Sequence, residues 1–179
     1  MFSSLKRSGY QRLSIIRRLP GCVAFASLPL LAAMANGAMA QTTGAVTFSN
    51  PPAIAKPMGY THVVEVAGPH RTVYISGQLG LGRDGKLVGA PGDFRAQARQ
   101  AFENLKAALD SVGGRFEHIV KINMYLTDME GQLPVLREVR DSYVNTAAPP
   151  ASTTVQISRL ALPDALFEIE AIVILPPHR

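Results

Sequence analysis

Cysteine occurs once in the 179 residues, at Cys22. From residue 41 onward the chain therefore has no disulfide, no thiolate metal ligand and no cysteine nucleophile. Excess charge of one sign is missing from the same stretch. The chain holds 18 Lys+Arg and 13 Asp+Glu, but Lys6, Arg7, Arg12, Arg17 and Arg18 lie in the first forty residues, where no acid occurs. The remainder is thus neutral, with thirteen charges of each sign, and lacks the electrostatic footprint of a phosphate-binding surface. Nucleic acid is not an expected partner. After residue 40 there is no long apolar run either. The one run in the chain, residues 19–35, is 17 residues long and carries Pro20 and Pro29. It falls short of the ~20 residues a spanning helix needs.

The beginning of the chain has the order of an export signal. A basic, polar stretch (1–18) precedes the apolar run, and Ala38-Met39-Ala40 follows as a small-x-small cleavage pattern. The expected cut is after Ala40, which leaves residues 41–179 as a periplasmic or secreted protein with no membrane contact. Arg17-Arg18 is not read as a twin-arginine signal, because Pro20 follows closely and no polar residue of that motif precedes the pair. Leu19-Pro20-Gly21-Cys22 is not read as a lipoprotein site, because the apolar segment follows the cysteine instead of preceding it.

The length beyond the signal suits one domain. Three parts are expected: a signal (1–40), an extended N-terminal segment (41–56) kept open by Pro51, Pro52 and Pro57, and a folded domain (57–176). Residues 41–50, polar and small, are expected to fray. Runs 61–67 and 72–78 read as strands around the turn Gly68-Pro69-His70-Arg71, with Val73 and Ile75 facing opposite to Tyr74 and Ser76. Residues 94–112 place Phe94, Ala98, Ala101, Phe102, Leu105, Ala108, Leu109 and Val112 on one helical stripe, with Arg95, Gln97, Arg99, Glu103 and Lys106 mostly off it. Asp93 suits the N-cap and Gly113-Gly114 the stop. Residues 118–126 read as a strand and 134–144 as a second helix with Pro134 in its first turn. Runs 153–159 and 167–175 complete a β-β-α-β-α-β-β order. Two helices cannot cover both faces of such a sheet. They are expected to share one face, leaving apolar residues on the other face for a second copy of the chain.

Conventional catalytic equipment is sparse. His62, His70, His118 and His178 share no i,i+4 face, Ser76-Gly77-Gln78 lacks the flanking pattern of a nucleophile elbow, and Gly80-Leu81-Gly82 opens no helix. No metal is expected. Glu168 and Glu170, two apart on the last strand, point to one sheet face, while Phe167, Ile169 and Ala171 point to the other. Two carboxylates on an otherwise apolar strand are exposed, paired or functional. These alternatives stay open on residue pattern alone. A buried carboxylate has its neutral form favoured and is able to exchange protons with a bound water.

Six landmarks in order resemble the Rid (reactive intermediate deaminase, YjgF or L-PSP) family. They are Pro57-x-Gly59-Tyr60-x-His62, Val73-Tyr74-Ile75-Ser76-Gly77-Gln78, Asp93-Phe94 with Gln97 through Phe102 and Asn104-Leu105, Val120-Lys121 with Tyr125-Leu126 and Asp128, Pro150-Ala151-Ser152-Thr153-Thr154-Val155, and Phe167-Glu168-Ile169-Glu170-Ala171. The resemblance covers about residues 50–175. It implies an α+β, chorismate-mutase-like (YjgF-type) fold, a mixed sheet with two helices on one face, and a homotrimer whose sheets form a central barrel. It further implies small-molecule ligands in intersubunit clefts, no cofactor, and hydrolysis of 2-imino or enamine acids to 2-keto acids and ammonia. By the same resemblance Glu168 holds the attacking water, the backbone carbonyl at Thr154 orients it, Gly77 offers a backbone contact and Tyr60 lies near the cleft mouth.

The resemblance fails at one position. The family branch with that activity places an Arg directly after the Pro-Ala that opens the penultimate strand, where its planar fork grips a substrate carboxylate. Here that residue is Ser152. Arg159 matches a different basic position, and Arg137 or Arg140 would have to reach the cleft from the second helix. The expected activity is therefore hydrolysis of an imine, enamine or related C–N compound, with weak turnover of 2-imino acids. The alternative is a trimer that binds a small molecule without transforming it. A ribonuclease role is disfavoured by the neutral charge and the export signal.

Overall fold

The computed structural model describes residues 45–178, so the expected signal and the expected cut after Ala40 lie outside the described residues. The first strand is β1 (Ala45–Ser49), which pairs antiparallel with β2 (Val63–Ala67). For residues 45–49 this corrects the expected fraying. Val46 and Phe48 alternate with small polar residues, and their register against Val66 and Val64 supplies partners that local composition does not reveal.

The larger sheet has the order β3-β6-β4-β5, from β3 (Arg71–Leu79), β6 (Phe167–Leu175), β4 (Ile119–Leu126) and β5 (Ala151–Gln156). Strands β4 and β5 are parallel, and the other pairs are antiparallel. The sheet is therefore mixed. The helix joining β4 to β5 serves as the crossover that parallel neighbours need.

Helix α1 (Phe94–Ser111) follows its stripe. Phe94, Ala98, Ala101, Phe102, Leu105 and Leu109 are buried, Asp93 accepts from the Ala96 amide at 2.9 Å, and Gly113 takes a φ of 74° just past the end. Gln97, expected on the polar side, is instead buried. It stays satisfied by donating to the Asp164 carbonyl and accepting from the Leu166 amide. Helix α2 (Met129–Asp141) starts five residues before the expected position, because Asp128 caps it by accepting from Gly131 N at 3.2 Å. Pro134 therefore lies inside the helix, where its missing N–H leaves the Glu130 carbonyl without the usual donor.

Both helices pack on one face of the sheet. Phe102 stacks on Phe167 and on Tyr143, with ring centroids 6.0 and 4.9 Å apart. Ile122, Met124, Leu126, Ile169 and Val173 close the layer from the strands. The α+β arrangement with two helices on one face is thus observed. The opposite face differs from expectation. It carries Tyr74, Lys121, Asn123, Tyr125, Glu168 and Glu170 beside Ile172, so it is a mixed polar surface and not an apolar one.

Candidate active site

Strand pairing determines which side chains meet on the open face. Glu168 lies opposite Tyr125, and Glu170 opposite Asn123. The Glu170 carboxylate accepts from Asn123 Nδ2 at 2.7 Å and from Tyr125 Oη at 3.0 Å, all through Oε1. Burial, and after it the bond to Glu170, pushes the Tyr125 hydroxyl up from its ordinary pKa. The phenol therefore remains a donor to the carboxylate at neutral pH.

Glu168 has a different environment. The register of β3 against β6 shifts between Ile75 and Gln78, so Ser76 and Gly77 form a bulge in the strand beside Glu170. The Glu168 carboxyl lies directly over Gly77, and a Cβ built at that position would overlap Oε1. Glycine is required here by close approach. Burial first, and the charge of Glu170 second, push the Glu168 carboxyl up from its usual value. Two neighbouring carboxylates thus differ. One accepts from two donors, and the other is partly desolvated, which favours its neutral form.

Two concavities flank this pair. One of about 260 Å³ is lined by Tyr74, Ser76, Lys121, Asn123, Glu170 and Ile172, among others. Another of about 320 Å³ is lined by Tyr125, Ile157, Arg159, Leu160, Glu168 and Glu170, among others.

The remaining expected site residues are elsewhere in the protomer. Ser152 and Thr154 pair with Ile122 and Met124, both buried under the helices, so their side chains belong to the helix side of the edge strand. Tyr60 precedes Thr61, which donates to the Pro150 and Pro149 carbonyls at 3.2 and 2.6 Å. That seam fastens Tyr60 beside the entry to β5. Tyr60 also meets His62 edge-to-face at 5.2 Å, and it lines a third concavity of about 550 Å³ with Lys56, Pro57 and Pro149, among others. One protomer therefore brings Glu168 and Gly77 together on the open face, and Tyr60, Ser152 and Thr154 along the edge strand. It does not join the two groups.

Arg140, on the second helix, is engaged within the protomer. It packs against Gly59 and donates from Nε and Nη2 to Asp141 Oδ1 at 2.8 and 2.6 Å. Arg137 is exposed. Sequence reasoning also passed over Asn123 and Tyr125 as partners of Glu170. Their spacing of two on β4, matching Glu168 and Glu170 on β6, was the available signal. Among the described residues, no group of three or more His, Cys, Asp or Glu is arranged to hold a metal.

Comparison with known proteins places this arrangement. A 2-iminobutanoate/2-iminopropanoate deaminase of Dermatophagoides farinae is 32% identical over 126 residues, covering 69% of this chain and 92% of the relative. The solved structure of a protein of unknown function of the conserved Rid family, YyfB from Yersinia pestis, matches with a TM-score of 0.64 and 29% identity, covering 73% of this chain and 98% of that one. RidA from an Antarctic Psychrobacter matches at 36% identity with a TM-score of 0.54, covering 72% of this chain and 98% of that one. The chorismate-mutase-like fold is thereby established. The family model described as Endoribonuclease L-PSP matches residues 50–175, nearly all of the described domain, and the chain belongs to that family, whose members include RidA and YjgF proteins.

Proposed function

We propose that this protein is an exported, cofactor-independent hydrolase of an imine, enamine or related C–N compound, with Glu168 as its catalytic residue. The observation that carries the reading is the Glu168 carboxyl, seated over the Gly77 bulge and partly removed from water. In the reaction, Glu168 accepts a proton from water as the water oxygen bonds to the electrophilic carbon. It returns that proton to nitrogen as the C=N π bond opens to a carbinolamine. The carbinolamine's hydroxyl proton then passes through Glu168 to nitrogen as the C–N bond breaks, leaving a carbonyl product and ammonia or an amine. The name of the mite relative supports an imine substrate.

The working unit in this reading is a homotrimer. Residues that one protomer keeps on separate surfaces, Glu168 with Gly77 and Tyr60 with Ser152, would meet in a cleft between neighbours, which agrees with the uncovered sheet face. The Thr154 carbonyl orients the water from the second half. Ser152 supplies a hydrogen bond but no charge, so 2-imino acids are held weakly. The test is ammonia release from 2-iminobutanoate generated in situ. Slow turnover by residues 41–179 that disappears in Glu168→Gln supports the assignment; turnover unchanged by Glu168→Gln contradicts it.

A further inference from the structure

Residues of β5 alternate between the two faces of the sheet. Val155 lies opposite Tyr125 on the open side, and Ile157 remains tied to β4 through its amide, which donates to the Leu126 carbonyl at 2.8 Å. Two residues further on, Arg159 lines the same concavity of about 320 Å³ as Tyr125, Glu168 and Glu170. That size suits a small organic molecule. Ile157, Leu160 and Ala161 form its apolar wall, and Leu160 is buried.

Among the described residues no ion pair uses the Arg159 guanidinium. The ion pairs among the described residues are Arg95–Glu138, Lys106–Asp110, Arg115–Glu117 and Arg140–Asp141. Arg159 pairs with neither of the carboxylates that share its concavity, so space separates the cation from the water-positioning group. Glu170 is occupied in accepting from Asn123 and Tyr125, which leaves the guanidinium to an incoming group.

Resting on the hydrolase reading above, we infer that Arg159 is the specificity-determining cation of this site. It holds a carboxylate at the end of the substrate remote from the carbon that water attacks. A single planar fork beside two acids suits a monoanionic carboxylate better than a dianionic phosphate. The substrate class is thus a small C–N compound with a distal carboxylate. This is a different geometry from a grip on the carboxylate next to the imine carbon.

The test is a calorimetric titration of residues 41–179 with succinate, its neutral counterpart succinamide, and inorganic phosphate. Succinate is expected to bind more tightly than succinamide or phosphate. Arg159→Gln is expected to weaken succinate about tenfold or more and leave succinamide unchanged, since the charge-assisted hydrogen bonds to the carboxylate are lost. Arg159→Lys, which keeps the charge and loses the fork, is expected to fall between them. Unchanged succinate affinity in Arg159→Gln, preference for succinamide or phosphate, or no succinate binding at tens of millimolar overturns the inference. Binding that depends on Arg159 while turnover ignores Glu168→Gln would instead sink the hydrolase reading alone.

Discussion

A single methyl group at position 77 would occupy the space that the Glu168 carboxyl now fills. Gly77→Ala is therefore expected to cost about 1–3 kcal/mol of stability, the range for overpacking. It should also lower C–N hydrolysis as far as Glu168→Gln does, because the carboxyl must move. Denaturant melts and ammonia release check both effects; full activity in Gly77→Ala would mean the carboxyl does not work from this position. The raised pKa of Glu168 carries a second expectation. Between the ordinary carboxylate value and the raised folded value, the folded chain binds more protons than the unfolded chain, so stability falls as pH rises through that window. Glu168→Gln cannot ionise. It should melt higher than wild type at neutral pH and converge with it in acid, by a small margin because the carboxyl still meets solvent. A variant that melts lower at neutral pH contradicts this.

Helix α1 connects the two strands that carry the site. Asn104 Nδ2 donates to the Leu79 and Leu81 carbonyls, both at 2.9 Å, and so fastens the chain just past the Gly77 bulge. Gln97 holds the loop at Asp164 and Leu166, directly before Glu168. Asn104→Ala strips the donor from two carbonyls and is expected to cost about 1–3 kcal/mol. Urea unfolding measures this, and a loss below about 0.5 kcal/mol would show that the loop holds itself. These elements also show what a sequence makes legible. The α1 stripe, its Asp93 cap and its glycine stop are local, and all three occur as read. The burial of Gln97 depends on backbone groups near residue 165, far away in sequence, so its polarity alone suggested a solvated position. Strand β1 was hidden for the same reason, since its partner β2 lies beyond a proline-rich loop. The start of α2 was placed by Pro134, although Asp128 was the stronger signal.

At the scale of the whole molecule, residue pattern placed Glu168 and Glu170 on one face correctly, but it could not show that Ser152 and Thr154 occupy the other. Parity within each strand is readable; the pairing that relates one strand to another is not. That separation predicts an assembly. Light scattering on residues 41–179 is expected to give three times the chain mass, and a monomer would leave the two half-sites apart. The most direct test of the account compares 2-iminopropanoate turnover by wild type and Ser152→Arg. With a neutral hydroxyl at position 152, wild type should be slow, and the added guanidinium should raise kcat/KM roughly ten- to a hundredfold. Fast turnover by wild type, with no gain in Ser152→Arg, would contradict it.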